Sequence, residues 1–332
     1  MTASTPSREL GRSGIHVPLI TFGGNVFGWT IDEPTSFNLL DALVDQGLNF
    51  IDTADVYSVW ADGNQGGESE TIIGNWLKKS GQRDKVIIAT KVGMEMGNGG
   101  KGLAPAYIRR AVEDSLRRLN TDYIDLYQAH TDDKSTPLED TLSTFDALIR
   151  EGKVRAIGAS NYEADRLAQA LKISKDHQLA RYETLQPEYN LYDRQHYESG
   201  LEAIAKEHGL GVISYYSLAS GFLSGKYRHP EDASKSLRGK GVVDRYLNDR
   251  GIKIVEALDQ VAKAHNVSSS QVAKAHNVSS SQVALAWLIA RPSVTSPIAS
   301  ATSVHQVAEL AAATRLSLTE EDIAVLNNAS QY

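Results

Sequence analysis

Four polar residues stand where short apolar runs end, and together their types could move a proton to or from a carbonyl oxygen. Asp52 follows the run Gly47–Ile51, Thr90 and Lys91 follow Lys85–Ala89, and His130 follows Tyr123–Ala129. Tyr57 lies five positions after Asp52. A phenol can donate the proton. Its ordinary pKa, near ~10, is high for exchange at neutral pH, and an adjacent ammonium is expected to bring it down. A carboxylate would keep that ammonium charged away from water, and an imidazole would orient the substrate oxygen.

The elements that must position these side chains can be read from periodicity. Strand-like runs recur at Leu19–Phe22, Leu48–Ile51, Val86–Thr90, Tyr123–Ala129, Val154–Gly158, Glu183–Gln186, Gly211–Tyr215 and Val294–Ile298. Between them lie patterns with apolar residues three and four apart, as in Thr35–Gln46, Glu68–Lys79 and Pro105–Leu119. Gln46-Gly47 and Glu151-Gly152 are helix-stop signals. Eight strand–helix units predict one domain over residues 1–332, a (β/α)8 TIM barrel, with chemistry at the carboxyl ends of its strands. Leu10–Phe22 alternates around Ser13-Gly14 and predicts an N-terminal β-hairpin across the barrel bottom. Ser217–Gly251 predicts a long loop after strand seven.

Residues Val261–Gln271 and Val272–Gln282 carry the same eleven letters, VAKAHNVSSSQ. Gln-Val-Ala occurs at Gln260, Gln271 and Gln282, so slippage between two such tripeptides would produce this tandem duplication from a 321-residue parent. Eleven residues make about three helical turns, yet each copy holds a stop followed by a Ser…Gln capping-box start. The expectation is an extra short helix near Ser269–His276, outside the barrel's ring.

Composition narrows the chemistry. The chain has 332 residues, 41% hydrophobic, with net charge −7, which argues against wholesale nucleic-acid binding. It has no cysteine, so disulfides, thiolate zinc sites and thiol catalysis are excluded. No His/Asp/Glu cluster has metal-ligand spacing, and no metal is expected. Met1–Leu10 is polar and unlike a signal peptide, and no apolar run approaches the roughly 18 residues of a membrane span. A soluble cytoplasmic protein is expected. Gly23–Gly28 reads GGNVFG, without the spacing of a dinucleotide fingerprint, and no Tyr-x-x-x-Lys occurs.

The motifs resemble the aldo-keto reductase superfamily along nearly the whole chain. They are LGRSG at Leu10–Gly14, FIDTADVY at Phe50–Tyr57, GESETIIG at Gly67–Gly74, ATKVG at Ala89–Gly93 and DYIDLYQAH at Asp122–His130. GKVRAIGASNY at Gly152–Tyr162, LQPEYNLYDR at Leu185–Arg194, SYYSLASGFLSGKY at Ser214–Tyr227 and SPIASATSVHQ at Ser296–Gln306 complete the series. The resemblance implies NAD(P)H-dependent reduction of aldehydes or ketones, with Tyr57 as proton donor and Asp52, Lys91 and His130 beside it. It implies that Ser160, Asn161 and Gln186 hold the nicotinamide carboxamide, that Tyr215 stacks on the ring, and that Gly24 and Asn25 give a weaker contact. Ser217 and Leu218 would contact the cofactor, Lys226 and Arg238 would lie near its phosphates, and Ser300, Thr302 and Gln306 near the adenosine end.

The chain departs from the family at Ser300-Ala301-Thr302, where many relatives read Gly-x-Arg, and at Leu310, where asparagine is frequent. Thr302 offers no charge to a 2′-phosphate. The resemblance still points to NADP(H), and NAD(H) stays open. Phe27, Trp29, Trp60 and Met94 lie just beyond strand ends and would wall an apolar substrate pocket. The expected partner is a small carbonyl compound, with no nucleic acid, membrane or obligate protein partner. The alternative is a cofactor-sensing regulatory subunit similar to potassium-channel β subunits, because such relatives can keep the same four residues.

Overall fold

The computed structural model describes residues 6–269 and 278–332. A two-stranded antiparallel hairpin, β1 (Ser7–Glu9) and β2 (His16–Pro18), precedes the barrel strands β3 (Thr21–Gly23), β4 (Phe50–Asp52), β5 (Ile87–Val92), β6 (Ile124–Ala129) and β7 (Val154–Ser160). The barrel continues with β8 (Tyr182–Gln186), β9 (Gly211–Val212) and β10 (Ile298–Ala299). All eight pair in parallel, in the order β10-β3-β4-β5-β6-β7-β8-β9. Thr295 N donates to Val212 O at 2.8 Å and Ile298 N to Ser214 O at 2.8 Å, which closes the ring. The fold is a (β/α)8 TIM barrel.

The outer layer contains α1 (Glu33–Asp45), α2 (Glu68–Ser80), α3 (Pro105–Leu119), α4 (Leu138–Arg150), α5 (Ala164–Asp176) and α6 (Glu202–His208). It continues with α7 (Gly239–Tyr246), α8 (Asp249–Ser269), α9 (Ser280–Ala290), α10 (Val304–Ala313) and α11 (Glu320–Ala329). Local chemistry sets the ends. Asp32 caps α1 by accepting from Thr35 N, and Pro105 opens α3 where its missing N–H costs nothing. Gly47 and Gly152 follow α1 and α4 with φ of 71° and 74°, as their stop signals predict.

The strand period of two builds the site. Phe50, Ala89, Leu126, Ala156, Ile213 and Ile298 form an apolar cluster with Leu10, Ile15 and Val17 of the hairpin region, so the hairpin plugs the bottom of the barrel as expected. The next residues, Ile51, Tyr127 and Ile157, join the larger cluster beneath the helices, as does Ile88 just before Ala89. One step further, Asp52, Lys91, Gln128 and Gly158 form the layer above. Asp52 pairs across from Ala89, Lys91 from Gln128, and Gln128 from Gly158. Gly158 is needed there, since a Cβ would lie 1.9 Å from Thr184 Oγ1 and 3.2 Å from Gln128 Cγ.

Two sequence expectations change. The Ser217–Gly251 stretch is not a bare loop, because 3₁₀ turns at Ala219–Ser224 and Pro230–Lys235 and helix α7 fill it. At the duplication, the first copy does not stop at Asn266, since α8 runs on to Ser269. The extra helix expected near Ser269–His276 lies, apart from Ser269 itself, outside the described residues. The second copy does start a helix, with Ser279 and Gln282 forming a capping box. Asn266 donates from Nδ2 to Val278 O at 3.1 Å and accepts from Val278 N at 2.5 Å. The junction between α8 and α9 therefore joins the front half of one copy to the back half of the other.

Candidate active site

Asp52 and Lys91 end neighbouring strands with their side chains in the barrel's upper layer, and both are buried. Lys91 Nζ donates to Asp52 Oδ2 at 2.7 Å, to Thr53 O at 2.8 Å and to the Tyr57 hydroxyl at 2.9 Å. These acceptors use all three ammonium hydrogens. The Tyr57 hydroxyl donates to Asp52 Oδ2 at 3.3 Å, so carboxylate, ammonium and phenol form one closed set. His130 follows β6, and its ring lies edge-on to Tyr57 with centroids 5.9 Å apart. The structure thus brings together all four residues read from strand ends.

Electrostatics correct one expectation. Lys91 does not bring the Tyr57 pKa below its ordinary value. Burial, and then the Asp52 carboxylate, push it well up. Tyr57 is therefore held as the neutral phenol, a donor that keeps its proton until a stronger base such as an alkoxide forms against it. Burial lowers the Lys91 pKa, while Asp52 opposes the shift. Burial first, and then Lys91, depress the His130 pKa well below its usual value, so the imidazole is neutral. Its Nδ1 is buried without a hydrogen-bond partner.

Two glutamines complete the set. Gln186 Nε2 donates to Asp52 Oδ1 at 2.9 Å, and Gln128 Nε2 reaches the same oxygen at 3.4 Å. Gln128 was not singled out by sequence. Its signal was its place two residues before His130 in a strand of period two. Gln186 sits where expected, but its amide N–H is turned to Asp52.

The other cofactor candidates occupy the same end of the barrel. Asn161, in the left-handed conformation with φ of 55°, donates to His130 O at 2.9 Å and to Ser160 Oγ at 3.2 Å. Ser160 Oγ donates to Gln186 O at 2.9 Å, and the Tyr215 hydroxyl donates to Asn161 Oδ1 at 2.8 Å. Asn161 and Tyr215 line a cavity of about 440 Å³ together with Glu188, Asp193 and Arg245. Gly24 is buried against Asp52 O, 3.0 Å from where its Cβ would stand. Asn25 accepts from Arg238 Nη2 at 2.7 Å and donates to Ser300 Oγ at 2.8 Å. The Arg238 guanidinium lies 4.4 Å from the Trp29 ring centre, and neither Arg238 nor Lys226 has an ion-pair partner among the described residues. Ser217 Oγ is buried and bonded to Ser214 O, and Leu218 packs against the core. Thr302 is exposed, with N and Oγ1 both on Gln306 Oε1.

Of the four proposed pocket residues, Phe27 is reassigned. It is fully buried in the main core against Phe22 at 5.5 Å. Trp29 and Trp60 do meet, edge to face at 5.6 Å, and Trp60 lies 5.7 Å from the Tyr57 ring. Met94 is partly buried past β5. Tyr216, which sequence reasoning missed, is 44% exposed, and its ring lies edge-on to Tyr215 with centroids 5.2 Å apart. Among the described residues no group of His, Asp and Glu is arranged to hold a metal ion, and no helix is long and apolar enough to cross a membrane.

A family model, Aldo/keto reductase family, matches residues 19–331. An uncharacterized oxidoreductase YrpG of Bacillus subtilis is 33% identical over 326 residues, covering 96% of this chain and 94% of the relative. The aldo-keto reductase YhdN of the same organism is 33% identical over 306 residues, covering 90% and 84%. A probable voltage-gated potassium channel subunit beta of Oryza sativa subsp. japonica is 32% identical over 309 residues, covering 91% and 89%.

Proposed function

This chain belongs to the aldo/keto reductase family, and from that premise we propose that it reduces aldehydes or ketones to alcohols, reversibly, with NADP(H) or NAD(H). The observation that carries the reading is the Lys91 ammonium held at once on Asp52 and on the Tyr57 hydroxyl, beside a neutral His130. The nicotinamide would supply a hydride to the carbonyl carbon. Tyr57 would give its proton to the carbonyl oxygen as negative charge develops there. Lys91 would stabilise the phenolate left behind, and Asp52, fixed by Gln186 and Gln128, would hold Lys91 in place. His130, uncharged, can donate one hydrogen bond to the substrate oxygen without competing for the proton.

The residues around the site fit a dinucleotide. Arg238 is a partly buried guanidinium, its pKa lowered by burial, with no counter-charge among the described residues. Such a group is stabilised by an anion, and a pyrophosphate or 2′-phosphate supplies one. Lys226 is a second unpaired cation nearby in sequence. Together they favour a dinucleotide, and the family resemblance favours NADP(H) despite Thr302. Trp29 and Trp60 favour a neutral substrate with an aromatic or apolar body, and the cell compartment proposed is the cytoplasm.

A panel of aldehydes and ketones run with NADPH and with NADH tests this. Turnover of an aromatic aldehyde supports it. Tight cofactor binding with negligible turnover across the panel would instead favour a regulatory subunit, the alternative suggested by the rice relative named as a probable voltage-gated potassium channel subunit beta.

A further inference from the structure

Ser58, directly after Tyr57, is fully buried and has φ of 76°. A residue with a Cβ is strained in this left-handed conformation, whereas glycine adopts it freely. Strain of this kind persists where the surroundings over-determine it. Here the surroundings are three hydrogen bonds. The Ser58 hydroxyl donates to Phe27 O at 2.7 Å. Asn64 Nδ2 donates to Gly28 O and to Ser58 O, both at 2.9 Å. They join the turn that carries Tyr57 to the loop Phe27–Ile31, which is itself closed by a backbone bridge between its ends.

Each joined segment holds one member of the aromatic pair beside the proton donor. Trp29 comes from the loop and Trp60 from the turn. Trp60 touches Tyr57 on one side and Trp29 on the other, and it is 45% exposed. The separation of the two indoles, and the direction from which Tyr57 is approached, therefore depend on how the two segments are held.

We propose that Ser58 and Asn64 are positioning residues, a polar clamp that fixes the Trp29–Trp60 rim against which an aromatic carbonyl substrate is held beside Tyr57. The inference rests on the reductase reading above and assigns the rim's geometry to two side chains that touch neither substrate nor cofactor. It separates discrimination among substrate bodies from the proton transfer, because the clamp acts on the rim while Lys91 and Asp52 hold the hydroxyl of Tyr57.

The test compares wild type with Ser58→Gly and Asn64→Ala in the reduction of 4-nitrobenzaldehyde and of propanal. NADPH affinity by fluorescence and the melting temperature are measured alongside. Ser58→Gly keeps the left-handed turn and removes the small CH2OH side chain with its bond to Phe27 O, so it protects the fold. The clamp predicts that KM for nitrobenzaldehyde rises about tenfold in Ser58→Gly, the scale of one lost hydrogen bond, and at least about tenfold in Asn64→Ala, which loses two. KM for propanal and the NADPH affinity should each change less than about twofold, within the scatter of a surface substitution. Equal loss for both aldehydes, tracking the melting temperature, would mean a merely structural role and would overturn the proposal. Variants indistinguishable from wild type would overturn it too. A wild-type protein that turns over neither aldehyde would overturn the reductase reading, and with it the rim as a substrate contact.

Discussion

Replacing Lys91 by Met keeps the bulk of the side chain and removes the ammonium. The structure sets the size of the effect. Lys91 and Asp52 are 0% and 1% exposed, so the substitution leaves a buried carboxylate without its cation. Breaking a buried pair from one side costs about 3–5 kcal/mol. Gln186 and Gln128 still donate to Asp52 Oδ1, which places the loss near the lower end, about 3 kcal/mol. For a chain of this size that lowers the melting temperature by roughly 4 °C. The kinetic effect has a separate origin. Without Lys91, the Tyr57 hydroxyl is the remaining donor to Asp52 Oδ2, so its proton is held back from the substrate. The phenolate formed by transfer also loses its cation. A loss of roughly 10²–10⁴-fold in the transfer step follows. The Tyr57 hydroxyl also loses the cation that favours its ionised form, so the pH–rate profile should change shape as well. Stopped-flow single turnovers of the enzyme–NADPH complex with 4-nitrobenzaldehyde across pH isolate this step. A variant that keeps more than a tenth of the wild-type rate with an unchanged pH profile would refute the coupling.

The remaining predictions are briefer. Reduction needs the Tyr57 proton, and its pKa is raised, so the wild-type rate should hold through neutral pH and fall only above the ordinary phenol value of about 10; a fall near pH 7 would contradict this. Folded His130 binds a proton less readily than unfolded histidine, so its contribution to stability is present above about pH 6.5 and lost as pH falls. Thermal melts should show that acid loss diminished in His130→Gln, and an identical pH slope in both proteins would count against a neutral buried imidazole. Thr302→Arg should tighten NADPH by roughly 1–2 kcal/mol if the 2′-phosphate lies there, while an unchanged titration would place it with Arg238 or Lys226. Removing one copy of the repeat, Val261–Gln271, yields the same chain as removing residues 267–277, whose flanks Asn266 and Val278 are already hydrogen-bonded. The shortened chain should keep its fold and kcat and melt slightly higher, because a loop-closure cost disappears. A tenfold loss of cofactor affinity or a changed solution mass would show that the duplication has acquired a role.

The chemistry was legible where a strand's alternation ran directly into a polar residue. Phe50-Ile51-Asp52 and Ala89-Thr90-Lys91 each show an inward apolar residue, an outward residue and then an inward charge, and the barrel assembles those charges. Helix α3 was legible at both ends, because Pro105 and the left-handed Asn120 punctuate it. Short strands were not. β9 and β10 pair over two residues each, and tertiary contacts alone fix their limits. Phe27 and Trp29 are two positions apart and look alike in sequence, yet a bridge from Phe27 to Ile31 turns the first into the core. The direction of the Tyr57 pKa shift was missed because sequence shows a neighbouring lysine but not the burial that outweighs it. The contact between Asn266 and Val278 was hidden by the repeat itself, since identical letters do not say which half of each copy keeps its place.

The central claim is that Tyr57 gives up the proton. Tyr57→Phe removes one oxygen and leaves the ring against Trp60 and His130. The direct measurement is the single-turnover rate of NADPH oxidation by an aromatic aldehyde in wild type and Tyr57→Phe, with NADPH affinity titrated in both. The account predicts a rate lower by about 10²–10⁴-fold with cofactor affinity nearly unchanged. A variant that retains more than a tenth of the wild-type rate would contradict it and remove Tyr57 from the donor's role.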